Sequence, residues 1–88
     1  MEPFKIQFKR SAQKDLKKLE KILIQRILNS IELLSDDPTP RNSKKLKGVE
    51  NIFRIRVGKY RVVYEISQNR NVIIIYYIRH RDDVYRNI

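Results

Sequence analysis

Three arginines, Arg54, Arg56 and Arg61, stand between Phe53 and Glu65, in a stretch where charged and apolar residues alternate on both sides of Gly58-Lys59. This period-2 pattern predicts a β-hairpin. Glycine at the first central position of a two-residue turn selects type II′. That turn sets the register. Val57 then faces Tyr60, Ile55 faces Val62 and Phe53 faces Tyr64 on one side, while Arg56 faces Arg61 and Arg54 faces Val63 on the other. Like charges directly opposite each other destabilise a sheet, so the arrangement points to an anionic partner that relieves the repulsion. A guanidinium is a rigid fork that matches phosphate oxygens two at a time. A second cluster closes the chain, Arg79-His80-Arg81-Asp82-Asp83-Val84-Tyr85-Arg86. Phosphate binding is the chemistry these residue types suit.

The composition agrees. The 88 residues carry 20 Lys and Arg against 10 Asp and Glu, a net charge of +10. Such a balance favours nucleic acid, a ribonucleoprotein or an acidic protein as partner. Residues 1–48 hold nine Lys and three Arg, and residues 49–88 hold one Lys and seven Arg. Lysines on helices can serve solubility alone, so phosphate chemistry is expected in the second half. Without cysteine and with His80 as the lone histidine, disulfides and Cys-based metal sites are excluded, and neither a metal nor another cofactor is expected. There is no Gly-rich phosphate loop and no Ser/His/Asp spacing. No apolar run suits a signal peptide or a membrane span, and a cytoplasmic setting is expected.

The elements that must position these residues follow from periodicity. Phe4, Ile6 and Phe8 alternate as in a strand. Ser11 is a plausible N-cap for a helix from about Ala12. A second helix, from about Leu19 or Lys21 to Leu34, carries Ile24, Ile27, Leu28, Ile31 and Leu34 on one face, and a short turn near Glu20-Lys21 separates the two. Pro38 and Pro40 stop it. Residues 41–48 read as a basic connector, in which Lys44, Lys45 and Lys47 are either a patch that tracks a nucleic-acid backbone or solvated charge. The hairpin spans about 51–57 and 60–67, followed by a turn at 68–71. Val72 to Ile78 is nearly all apolar and reads as the central strand, covered at least in part on both faces; Tyr76 and Tyr77 in it face opposite ways, so one of them is a candidate to border the site, and parity does not say which. Arg79 to Ile88 reads as a polar tail. The order β-α-α-β-β-β predicts one α+β domain over 1–88, with a two-helix hairpin on one face of a mostly antiparallel four-stranded sheet.

The hairpin Arg-Ile-Arg-Val-Gly-Lys-Tyr-Arg-Val-Val-Tyr-Glu, the tail His-Arg-Asp-Asp-Val-Tyr, the segment Ser-Ala-Gln-Lys-Asp-Leu-Lys-Lys-Leu and the step Leu46-Lys47-Gly48 together resemble the RelE/ParE toxin superfamily, on its RelE-like side. The resemblance covers nearly the whole chain. It implies a RelE-like fold and the toxin of a type II toxin–antitoxin pair. It implies an endoribonuclease (mRNA interferase) that cuts messenger RNA in the A site of the 70S ribosome without a metal, by 2′-OH attack on the adjacent phosphate. It also implies silencing by an antitoxin with an acidic segment. By the same resemblance Arg61 and Arg79 clamp the phosphate, Arg54 and Arg56 assist, and Tyr85 stacks on a base or transfers a proton. Arg81 joins Lys44, Lys45 and Lys47 as an RNA-binding candidate.

The chain departs from the best-known pattern, which has lysines where Arg54 and Arg56 stand. Arginine keeps its proton, with a pKa above about 12, so it stabilises charge but serves poorly as a general base. His80, with an ordinary pKa near 6.5, is the natural candidate, and Glu65 shares strand parity with Arg61. Two other readings stay open: a ParE-like inhibitor of DNA gyrase, and a basic binding module without catalysis. No large apolar surface patch is evident in the sequence, so the free toxin is expected to be monomeric.

Overall fold

The computed structural model describes residues 2–81. In chain order the elements are β1 (Lys5–Phe8), α1 (Arg10–Lys17), α2 (Lys21–Leu33), β2 (Ser43–Lys45), β3 (Ile52–Val57), β4 (Tyr60–Ser67) and β5 (Val72–His80). The sheet has five strands, in the order β1-β5-β4-β3-β2. The short β1 runs parallel to β5, from Lys5↔Val72 to Phe8↔Ile75, and every other pair is antiparallel. None of the described helices is long and apolar enough to cross a membrane.

The fold is the α+β arrangement the sequence predicts, with one strand more than expected. Ser43–Lys45 lies in the stretch read as connector, yet it pairs with β3 through Ser43↔Ile55, Lys44↔Arg54 and Lys45↔Phe53. Three polar residues carry no period-2 signal; the free edge of β3 organises them. Helix α1 also begins earlier than expected, at Arg10, with Lys9 in the N-cap position. The Ser11 hydroxyl is not the cap: it donates across the fold to the Tyr76 carbonyl. The break before α2 falls where expected, with Glu20 as its N-cap. β5 continues through Arg79 and His80, so these two are strand residues and not tail. It is an interior strand, one place off centre, between β1 and β4.

The hairpin register is the one the turn predicts, from Val57↔Tyr60 through Arg56↔Arg61 and Ile55↔Val62 to Arg54↔Val63 and Phe53↔Tyr64. Gly58 has φ of 61°, and Lys59 is not among the residues of positive φ, as a type II′ turn requires. The core lies on one face of the sheet. Ala12, Ile27, Ile31 and Leu34 from the helical layer pack with Ile55, Val57, Val62, Tyr64, Ile73 and Ile75 from the strands. Ala12 is fully buried, and its small side chain lets α1 lie close against β5. Tyr64 is likewise fully buried, and its hydroxyl donates to the Pro38 carbonyl at 2.6 Å, tying the proline-rich link to the sheet. Burial pushes the Tyr64 phenol up to about 12.

Candidate phosphate-binding face

With the helices on one face, hairpin parity leaves Arg54, Arg56 and Arg61 on the other. The β4–β5 register adds Arg79 directly opposite Arg61, and Arg56 faces Arg61 from β3. Arg56, Arg61 and Arg79 therefore form one row across three neighbouring strands. At a strand spacing of about 4.8 Å the row spans roughly 10 Å at the backbone. Arg56 is exposed, whereas Arg61 and Arg79 are half-buried. The next row, one pleat away, reads Lys44, Arg54, Val63 and Tyr77. It brings Arg54 and Lys44 onto the same face. Arg81 joins the turn end of the row: its N–H donates to the Lys59 carbonyl at 2.9 Å. A pocket of about 120 Å³ there is lined by Arg56, Gly58, Lys59, Tyr60, Arg61 and Arg81.

Other candidates are placed elsewhere. Lys45 pairs with Phe53, so its parity is that of the helix-covered face, and Lys47 lies in the turn after β2. His80 pairs with Tyr60, and their rings meet edge to face with centroids 5.3 Å apart. Tyr60 packs against the core, so His80 is adjacent to Arg79 in sequence but on the opposite face. Tyr85 lies outside the described residues. Glu65 does share the arginine face, yet it stands four residues along β4 from Arg61, roughly 13 Å at strand rise. Its carboxylate accepts the Tyr76 hydroxyl. That bond, with lesser contributions from burial and from the Glu65 charge, raises the Tyr76 phenol.

The two tyrosines correct a sequence expectation. Tyr76 and Tyr77 do not face opposite ways. The β4–β5 register shifts between Val63 and Tyr64, with Val63 opposite Tyr77 and Tyr64 opposite Ile75. Tyr76 is thus the extra residue of a β-bulge, which breaks the alternation. Tyr76 reaches Glu65, and Tyr77 lies under the Arg79 guanidinium, 4.6 Å from carbon to ring centroid. Lys9 stands over the Tyr76 ring at 4.1 Å. Of the pair Tyr76 and Tyr77, the one stacked against Arg79 is Tyr77, a choice that strand parity leaves open. Sequence reasoning missed Asp15 on α1, whose Oδ2 lies 3.8 Å from Arg79 Nε; nothing in the local sequence links positions so far apart.

Chemically, the face offers a row of permanently charged planar donors, a second row of cations beside it, and aromatic rings at its β5 side. Such a face can bind an extended polyanion and stabilise extra charge on a phosphate. Near the row, Asp15 is a carboxylate within reach, and it is engaged by Arg79 and by the Ile78 N–H.

Comparison with known proteins agrees with this architecture. Residues 6–85 match the family model for the ParE toxin of type II toxin–antitoxin system, parDE. Toxin RelE3 of Methanocaldococcus jannaschii is 35% identical over 88 residues, covering 92% of this chain and 94% of that one. Toxin RelG of Mycobacterium tuberculosis is 27% identical over 85 residues, covering 96% and 98%. The crystal structure of an archaeal RelE–RelB complex from Pyrococcus horikoshii OT3 is similar with a TM-score of 0.80 at 28% identity, over 90% of this chain and 96% of that chain.

Proposed function

This chain belongs to the RelE/ParE superfamily of type II toxin–antitoxin toxins, and on that premise we propose that it is a ribosome-dependent endoribonuclease that cuts messenger RNA in the A site. The observation that carries the proposal is the row Arg56–Arg61–Arg79 on the sheet face opposite the helices. In this reading Arg61 and Arg79 clamp the scissile phosphate and stabilise the charge that develops on its oxygens as the neighbouring 2′-OH attacks. Arg56 and Arg54 hold the flanking backbone, with Lys44 and Arg81 extending the track. The reaction needs no metal, because the arginines supply the positive charge. Their fixed protonation leaves proton transfer to another group. His80 turns its ring to the other side of the sheet, which favours Tyr85, in the C-terminal segment, over His80. His80→Gln should therefore leave cleavage within a few-fold, and Tyr85→Phe should reduce it more.

The partner in this reading is a cognate antitoxin. The similar Pyrococcus protein is held in a complex with RelB, and a net charge of +10 suits an antitoxin with an acidic segment laid over the basic face. A cytoplasmic setting follows from a ribosomal target.

One observation favours a second reading: the matching family model is that of ParE toxins. A gyrase inhibitor of the same fold needs no phosphate row, because function resides in the site and not in the fold. The two readings part in a single experiment. Purified protein is added to programmed ribosomes carrying an end-labelled message and, in parallel, to gyrase with relaxed plasmid. Cleavage at the A-site codon, absent without ribosomes, is the expected result. Intact message with blocked supercoiling would replace the ribonuclease by the gyrase inhibitor. Neither effect, with retained RNA binding, would leave a basic binding module.

A further inference from the structure

Arg79 is approached by groups from two sides. Its guanidinium carbon lies over the Tyr77 ring at 4.6 Å, and its Nε faces Asp15 Oδ2 at 3.8 Å, an ion-pair distance. The same Oδ2 accepts the Ile78 N–H at 2.9 Å. The reason lies in the topology. β1 stops pairing with β5 at Phe8↔Ile75, so the β1-side edge of β5 beyond that point needs other partners. α1 covers it, with the Ser11 hydroxyl bonded to the Tyr76 carbonyl and Asp15 bonded to the Ile78 N–H. The Asp15 side chain is only 15% exposed, against 38% for Arg79. Asp15 stands in the last turn of α1, where the helix dipole disfavours a carboxylate. Helix stability therefore does not explain it.

A guanidinium offers an Nε edge, a terminal Nη edge and two flat faces. Asp15 lies at ion-pair distance on the Nε side, and Tyr77 lies along one flat face. Among the described residues the contacts to Arg79 fall on these two sides, and a phosphate lying along the row with Arg61 would take the terminal edge. We infer that Asp15 and Tyr77 are positioning residues that hold Arg79 in its phosphate-binding orientation before substrate arrives. Preorganised charge is what stabilises a transition state, and a long arginine side chain otherwise loses rotamer freedom on binding. The catalytic consequence rests on the ribonuclease reading above; the holding of Arg79 does not.

Simple charge counting makes the opposite prediction. Removing a carboxylate beside a phosphate site should strengthen RNA binding and speed the reaction. The test therefore uses Asp15→Asn, whose amide oxygen can still accept the Ile78 N–H, and Tyr77→Leu, which removes the ring without touching the β5 edge. Two readouts are taken on the full chain: the NMR signal of the Arg79 Nε–H group, and single-turnover cleavage on programmed ribosomes. In both variants the Arg79 Nε–H should exchange with water faster than in wild type while the backbone amide spectrum is retained. Their maximal cleavage rate should fall roughly 10- to 100-fold with KM unchanged or lower, whereas Tyr77→Phe should behave as wild type. An Arg79 signal as protected in both variants as in wild type would overturn the inference, as would an unchanged or raised maximal rate. Faster Arg79 Nε–H exchange in both variants of a protein whose wild type cuts no message would uphold the positioning and sink the ribonuclease reading instead.

Discussion

At the scale of single residues, the arginine face turns on geometry as much as on charge. Arg61 sits in the middle of the row, between Arg56 and Arg79. Lysine there keeps the charge but replaces a planar fork by a point donor. Arg61→Lys should therefore lower the cleavage rate by roughly 10-fold at unchanged melting temperature, measured in the same ribosome assay. A rate equal to wild type would mean that only charge matters at this position. Arg54, Arg56 and Arg61 were legible in the sequence because a strand alternates and Gly58 pins the turn. Arg79 was legible as part of a closing basic cluster, but its place beside Arg61 only through the family resemblance, since strand parity says nothing about which residue of β5 lies opposite Arg61. Asp15 was not legible, since it comes from a distant helix; Tyr77 was legible only as one of a pair bordering the site, because a bulge that period-2 reasoning cannot anticipate decides its direction.

At the scale of elements, the β3–β4 turn and the Tyr64–Pro38 tie set how firmly the face is held. A Cβ on Gly58 meets no atom within 4 Å, so the cost of alanine there is the backbone strain of φ near +61°. Gly58→Ala should destabilise the protein by roughly 1–2 kcal/mol, read as a lower midpoint in urea. Tyr64 adds a pH signature. Its phenol ionises at the ordinary value of about 10 when unfolded and is pushed up to about 12 by burial when folded. Between these values the unfolded state binds fewer protons, so stability falls with rising pH. The contribution is fully present below pH 10 and is lost by about pH 12, up to roughly 2–3 kcal/mol for a shift of this size. Tyr64→Phe should flatten that part of the profile and cost about 1 kcal/mol near neutrality for the lost hydrogen bond to Pro38. Element boundaries were legible where apolar periodicity ran long, as in α2 and the hairpin. They were not legible at Ser43–Lys45 or at the start of α1, where pairing to a neighbour and not local sequence decides.

At the scale of the whole molecule, the fold separates its tasks by face. One side of the sheet carries the helices and the core, and the other carries cations in two rows. Class and layering were legible from the order of elements, but the parallel docking of β1 beside β5 was not, because it depends on which edge the helical layer leaves open. A face that tracks an RNA backbone should show the ionic signature of counterion release. For single-stranded RNA the slope of log K against log salt is about −0.7 per phosphate neutralised, so two to four contacts predict roughly −1.4 to −2.8. Arg61→Ala should make the slope shallower by about one contact. The most direct test of the account is the A-site cleavage rate of Arg61→Ala beside that of Lys14→Ala, which removes an equal charge from the exposed side of α1. The phosphate-row reading predicts a loss of at least about 100-fold for Arg61→Ala and a rate within two-fold of wild type, roughly the scatter of neutral surface changes, for Lys14→Ala. Equal losses in the two variants would contradict it, because they would make the arginine face one part of a general positive charge and not a site.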